Sequence, residues 1–327
     1  MSAAAAIEVE GLRKAYDGQD AVRGIDFSVR RGEVFGLLGP NGAGKTTTVE
    51  ILEGYRTRSA GTVSVLGHDP GERPAALRER IGIVLQSCGT YPHLTVHETV
   101  AHWASLYPAP RDVGEVIALA GLDEAADKRA RTLSGGQQRR LDLALALVGD
   151  PELVFLDEPT TGFDPAARRR SWDLIESLGS DGTTVLLTTH YLDEAEHLAD
   201  RVGVLAAGRL IAEGTPEELI NRTSGTVVSF MLPDSVVPAD APSIFAPLVG
   251  ADVRVAGRLV EASIDRPTAA VHRLTGWALE AGVELESLAV HRASLEDVYL
   301  SLTSGTSEER TPDAERSTSE VIAGESP

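Results

Sequence analysis

Gly39-Pro40-Asn41-Gly42-Ala43-Gly44-Lys45-Thr46 is the stretch on which the reading of this chain turns. It satisfies G-x-x-x-x-G-K-[ST], and its flanks suit the mechanism behind that pattern. Val34-Phe35-Gly36-Leu37-Leu38 before it is a short apolar run of the kind a buried parallel strand makes. Thr46 to Leu52 after it has no Pro or Gly and can start a helix. Strand, glycine-rich turn and helix N-terminus together form an anion cradle. Backbone N–H groups converge on phosphate oxygens, and the helix dipole favours negative charge. Lys45 reaches the β/γ-phosphates, and the Thr46 hydroxyl is placed for Mg²⁺.

Outward from this loop, apolar strands alternate with helical stretches. Gly61–Gly67, Ile81–Leu85, Leu153–Leu156 and Val185–Thr189 read as further strands, with a helix from about Pro165 to Leu178. The amino-terminal Ile7–Leu12 alternates as a half-buried strand does, and Ala21–Val29 continues the pattern. Thr95 to Ala130 turns helical, and Leu133 to Val148 becomes a long helix after Ser134-Gly135-Gly136. The expected fold is α/β, with a mostly parallel sheet covered on both faces. Near Asn221 the composition shifts. Strands at Thr226–Leu232, Asp252–Val255, Leu259–Ile264 and Val283–Val290 and helices at Thr268–Ala281 and from Ser294 predict a small α+β appendage over 221–303. Residues 304–327, Ser/Thr/Glu-rich, read as a disordered acidic tail.

Composition excludes several classes. The 327 residues carry a formal net charge of −19, which argues against a nucleic-acid partner, because phosphate neutralisation needs clustered Lys and Arg. Cys88 is the sole cysteine, so no internal disulfide forms. No run approaches 18 apolar residues, and Met1–Ala6 lacks the charged and apolar regions of a secretory signal.

Two further groups carry chemistry. Leu153–Leu156 ends in Asp157-Glu158, a carboxylate pair in which Asp157 suits the Mg²⁺ shell and Glu158 an attacking water. Leu133-Ser134-Gly135-Gly136-Gln137 places a hydroxyl and two glycine N–H groups at a second helix start. One chain thus carries two phosphate-grade helix N-termini.

Together these motifs resemble the ATP-binding-cassette (ABC) ATPases, the nucleotide-binding subunits of transporters, over roughly residues 7 to 220. The resemblance implies a P-loop fold with a central mostly parallel sheet, an antiparallel β subdomain and a helical subdomain over about 87–150. It assigns Gly39–Thr46 as the Walker A loop, with Thr47 beside it, and Asp157-Glu158 as the Walker B pair. Tyr16 would stack on adenine, Gln86 would touch Mg²⁺ and the water, Leu133–Gln137 would be the signature, with Ser134–Gln137 on the nucleotide, Asp164 the D-loop aspartate, and His190 the switch histidine on the γ-phosphate. Read alone, Tyr16 also fits an ordinary strand aromatic, and Gln86 and His190 surface polar groups. Phe163 departs from the Leu more usual there. The ligands implied are ATP and Mg²⁺. The partners are a second copy, facing head to tail, and a separate multi-span permease at the cytoplasmic face of the membrane, with no nucleic acid.

Beyond residue 220, Ser294–Thr303 is similar to the end of the daunorubicin-resistance type of drug-exporter ATPase, as are Leu94–Thr99 and Asp200–Leu205. ATPases exporting polysaccharides, lipids or sodium share much of this. Two other readings stand beside transport. A soluble ABC ATPase acting on ribosomes or DNA would usually carry two cassettes or a coiled-coil insertion. A non-catalytic nucleotide-gated binding protein would lack Glu158 or His190.

Overall fold

The computed structural model describes residues 5–84, 91–222 and 226–304. In chain order, β1 (Ala5–Tyr16), β2 (Gln19–Arg30) and β3 (Val34–Leu38) lead into α1 (Lys45–Leu52), then β4 (Ala60–Val65), α2 (Ala75–Arg78) and β5 (Ile81–Val84). A helical section follows, with α3 (Val96–Ala104), α4 (Val113–Leu119) and α5 (Gly135–Leu147). The chain then returns through β6 (Leu153–Asp157), α6 (Pro165–Ser180), β7 (Thr184–Thr189), α7 (Leu192–Leu198), β8 (Arg201–Ala206), β9 (Arg209–Gly214) and α8 (Pro216–Arg222). The remainder is β10 (Thr226–Met231), α9 (Ala241–Val249), β11 (Arg254–Ala256), β12 (Leu259–Ser263), α10 (Pro267–Ala281), β13 (Ala289–Arg292) and α11 (Leu295–Ser304).

The central sheet has the order β5-β6-β7-β3-β8-β9. Its first five strands are parallel, and β9 closes one edge antiparallel to β8. Strands β3, β6 and β7 are buried along their whole length. Helices cover both faces, which is why these strands read as unbroken apolar runs rather than alternating ones. One face packs Phe35, Leu37, Phe155 and Leu186 toward the antiparallel sheet β2-β1-β4 and α1. The other packs Val154, Leu156, Val185 and Leu187 against Leu143 and Leu147 of α5 and Leu174, Ile175 and Leu178 of α6.

The helical section has a core of its own, formed by Val96, Val100, Val116, Ile117, Leu133, Leu141 and Val148, with Trp103 and Tyr107 packed against it. Helix α3 opens with a capping box in which Thr95 and Glu98 satisfy each other's backbone donors.

The carboxy-terminal unit is an antiparallel sheet of order β11-β12-β10-β13 under α9 and α10. One expectation is corrected here, and two features were not foreseen. Residues 283–288 are not strand: Leu285 is buried in the core of this unit, Val283 and Leu288 pack against it, and pairing begins only at Ala289. The apolar alternation there records side-chain anchoring without a ladder. Helix α9 was not expected, because Pro242 and Pro247 break the apolar pattern; Pro242 sits in its first turn, where the missing N–H costs nothing. Helix α11 bridges the two parts of the chain, packing on Val227 of β10 as well as on the preceding body. Leu295 and Val298 join a core with Leu38, Ala195, Ala199, Val204, Leu219 and Ile220 of that body.

Candidate functional site

The site is built on the ends of three adjacent strands. Strand β7 lies between β6 and β3, so the loops leaving β3 and β6 flank the end of β7. The register sets Asp157 opposite Thr188 and Leu38 opposite Thr189. Motifs more than a hundred residues apart in sequence therefore meet at one edge, where open α/β sheets bind ligands.

The loop after β3 is shaped by close backbone approach. A Cβ on Gly39 would lie 2.3 Å from the carbonyl oxygen of Leu205, and one on Gly44 would lie 2.6 Å from that of Ala21. Gly44 caps α1 at φ +104°, a conformation that favours glycine, and no side chain caps this helix. Its first N–H groups are left for a ligand. Pro40, Asn41 and Gly42 are exposed at the turn, Ala43 is buried beneath it, and Thr47 is half-buried on α1. Lys45 is 5% exposed. Its Nζ donates to the carbonyls of Gly39 (2.7 Å) and Pro40 (3.2 Å), curling over the loop. Burial lowers its pKa; the nearby Glu158 and Asp157 charges oppose that shift.

Asp157 and Glu158 are fixed by β7. The Thr188 hydroxyl donates to Asp157 Oδ1 (2.5 Å) and accepts from the Glu158 N–H (3.1 Å), which also reaches the Thr188 carbonyl (3.2 Å). Glu158 holds φ +47°, unusual for a residue with a side chain. Its carboxylate is thereby turned into the cleft, 3.9 Å from Lys45 Nζ and 3.1 Å from His190 Nδ1. The latter pair is close enough for an ion pair but off line for a hydrogen bond. Thr161 donates to Glu158 Oε2 (3.1 Å). The Thr46 hydroxyl lies 3.4 Å from Asp157 Oδ2.

Among the described residues, no three His, Cys, Asp or Glu side chains gather into a metal site by themselves. One hydroxyl and one carboxylate do converge. That donor set fits Mg²⁺, which commonly takes one or two carboxylates and completes its octahedron with phosphate oxygens and water.

The second helix start is finished differently. Ser134 Oγ accepts from the Gln137 N–H (3.3 Å), and the Ser134 N–H donates to Gln137 Oε1 (3.0 Å), a capping box. Ser134 and Gly135 are exposed, and a Cβ on Gly135 would meet nothing within 4 Å. A Cβ on Gly136 would meet only Ala167 Cβ, at 3.9 Å. Among the described residues, no hydrogen bond or ion pair joins Ser134–Gln137 to the Lys45 loop. Asp164, also exposed, accepts from the N–H groups of Ala166 and Ala167 (both 2.9 Å) as the cap of α6, and these bonds lower its pKa. Tyr16 stands at the end of β1, 36% exposed, with Lys14 Nζ 5.0 Å and the Arg56 guanidinium 5.4 Å from its ring centre. Gln86, and Cys88 beside it, lie outside the described residues.

Residues 22–161 match the ABC transporter family, and residues 226–294 match the C-terminal domain of ABC transporter domain-containing proteins. The daunorubicin/doxorubicin resistance ATP-binding protein DrrA of Streptomyces peucetius is 38% identical over 93% of this chain and 94% of its own length. The chain belongs to the ABC transporter ATP-binding family. It is an ATPase subunit of that family. The Nod factor export ATP-binding protein I of Burkholderia pseudomallei (strain 1710b) is 40% identical over 91% of this chain and 97% of that protein. Among solved structures, an ATP-binding cassette captured as a dimer in a post-hydrolysis state with ADP and Pi superposes with a TM-score of 0.58. It is 25% identical and covers 64% of this chain and 98% of that one.

Two residues of this ABC ATPase escaped the sequence reading. Arg139 reaches from α5 to the carbonyls of Asp157 (3.0 Å) and Glu158 (3.4 Å). Glu194, fully buried on α7, accepts from the Thr160 hydroxyl (2.7 Å) and from Trp172 Nε1 (3.2 Å). Glu194 had one weak signal, an acid four residues after His190 on an otherwise apolar helix face. Arg139 had none, since Arg139 and Arg140 read alike in sequence.

Proposed function

We propose that the chain hydrolyses ATP between two copies facing head to tail and so energises a separate membrane permease that exports drugs or other hydrophobic small molecules. The observation that carries the dimer is the asymmetry of the two helix starts. Glycine at 39 and 44 is required by this chain's own backbone contacts, whereas a Cβ on Gly135 would meet nothing and one on Gly136 only an ordinary contact with Ala167. Two glycines in a helical turn cost roughly 0.5–1 kcal/mol each, and close approach by a ligand held on another molecule accounts for them. The likeness to a cassette captured as a dimer supports the same arrangement.

In the reaction, Tyr16 offers a stacking face to adenine, and the Lys45 loop holds the β/γ-phosphates. Thr46, Asp157 and Gln86 would hold Mg²⁺, which when bound neutralises charge on the phosphate oxygens. Glu158 orients the attacking water or accepts its proton, and His190, beside it, faces the γ-phosphate. Ser134–Gln137 of the second copy closes the phosphate shell, with Asp164 at that boundary. Phosphate release removes the bridging charge, and the dimer opens.

No helix among the described residues is long and apolar enough to cross a membrane. The relatives named as resistance or export ATP-binding proteins support a partner polypeptide that holds the spans, with this chain at the cytoplasmic face. Drug export rests on the relatives whose names state daunorubicin or linearmycin resistance. Nod factor export proteins of similar identity support other cargo as a second reading. The test is reconstitution in vesicles with a multi-span protein found among its neighbouring reading frames. ATP-dependent movement of daunorubicin that disappears with Glu158→Gln supports drug export. ATP turnover with no drug movement favours the second reading.

A further inference from the structure

The segment that carries Glu158 is held at its backbone from a helix that has another duty. Arg139 Nη2 donates to the carbonyls of Asp157 (3.0 Å) and Glu158 (3.4 Å), and its Nε reaches that of Pro159 (3.5 Å). Glu158 is the residue in this stretch with a left-handed φ, +47°. Such a conformation costs on the order of 1–3 kcal/mol and persists only where its surroundings over-determine it. Here the Glu158 N–H is fixed by Thr188 and its carbonyl by Arg139. The guanidinium suits the task, because its planar fork can address several carbonyls at once.

Arg139 sits on α5, five residues after its cap Ser134. Five residues of helix span about 7.5 Å and behave as a rigid spacer. A displacement of the exposed Ser134–Gly135 end therefore has a direct path to the Glu158 backbone through the Arg139 side chain. We propose that Arg139 is a positioning residue that couples the two composite sites of the dimer. Docking of the signature end of α5 on the partner's nucleotide sets the aim of Glu158 toward the nucleotide on its own Lys45 loop. This rests on the head-to-tail reading above and adds to it a route by which one site reports to the other. The route is local: one helix, one guanidinium and three consecutive carbonyls.

The experiment measures ATPase rate against ATP concentration for the full chain and for Arg139→Ala, Arg139→Lys and Glu158→Gln. Binding of a fluorescent ATP analogue and melting temperature are followed in parallel. Coupling predicts that Arg139→Ala loses on the order of 10–100-fold in kcat, keeps nucleotide affinity within about twofold, and shows a Hill coefficient falling toward about 1. Arg139→Lys, able to keep one carbonyl contact, lies between and carries the test should Arg139→Ala melt early. An unchanged kcat overturns the proposal, as does a fall in kcat with the Hill coefficient unmoved. Parallel loss of affinity and melting temperature in both variants overturns it too, since that is a purely structural role. Glu158→Gln separates the two readings: wild-type turnover in that variant would sink the catalytic assignment itself, whatever Arg139 does.

Discussion

At the start of α1, Gly44 adopts φ +104°, no side chain caps the helix, and Lys45 is buried over the loop beside Glu158. At the start of α5, Ser134 and Gln137 cap each other, Ser134 and Gly135 are exposed, and neither glycine is forced by a close backbone contact of its own chain. Both are helix N-termini suited to an anion, but only the first has Lys45, Asp157, Glu158 and His190 of its own chain around it. On the head-to-tail proposal, the difference makes one end the elaborated half of a phosphate site and the other its lid, a site complete only when two copies meet.

The sharpest way to test the first half is Glu158→Gln. With the charge removed from the group that faces the water, kcat should fall on the order of 10²–10⁴-fold while ATP binding persists. Size exclusion with ATP should then show a trapped dimer. A variant that turns over at the wild-type rate would remove Glu158 from the chemistry.

The glycines test both halves at once. Gly39→Ala places a Cβ 2.3 Å from the Leu205 oxygen and should destabilise the isolated chain by roughly 1–3 kcal/mol. Gly135→Ala meets nothing and should stabilise it, by roughly 0.5 kcal/mol, while lowering ATP turnover. Denaturant midpoints and ATPase rates check the pair. If Gly135→Ala leaves turnover intact, nothing approaches that surface closely and the contrast between the two helix starts collapses.

A smaller effect lies behind the first half. Glu53 ends α1, 8% exposed, and among the described residues neither of its carboxyl oxygens has a partner. Burial raises its pKa from 4.5 to about 8, with Asp157 and Glu50 adding to the rise. The unfolded carboxyl ionises near 4.5, so between there and about 8 the folded state binds the extra proton. Stability therefore falls as pH rises through that window and levels off above it. Glu53→Gln should remove this slope and melt on the order of 5 °C higher than wild type at pH 8, with a smaller gap at pH 5. Identical pH profiles would show that Glu53 ionises freely in the fold.

Much of this was legible because each motif joins a backbone requirement to a chemical one. Gly39, Gly44 and Lys45 announce a turn and a charge together, and Asp157-Glu158 ends an apolar run. Local pattern failed where tertiary packing decides. Residues 283–288 carry strand-like alternation and form none, because Leu285 anchors a coil to the appendage core. Helix α9 is hidden by its prolines, and nothing in the spacing of α11 says that it reaches the body as well as β10. Arg139 and Glu194 act through contacts between elements remote in sequence, which no spacing rule records.

The most direct test of the composite site mixes two dead chains. Ser134→Arg adds bulk where the partner's phosphate must approach, and it leaves the Lys45 loop of the same chain untouched. Glu158→Gln leaves the signature end intact and removes the water-orienting group. In a head-to-tail heterodimer, one composite site pairs the Glu158 of the first variant with the Ser134 of the second and is whole; the other carries both lesions. Size exclusion with ATP first establishes that the heterodimer closes. The account predicts that ATP hydrolysis, absent from either variant alone, returns in the mixture. A heterodimer that closes on ATP and hydrolyses none would contradict it.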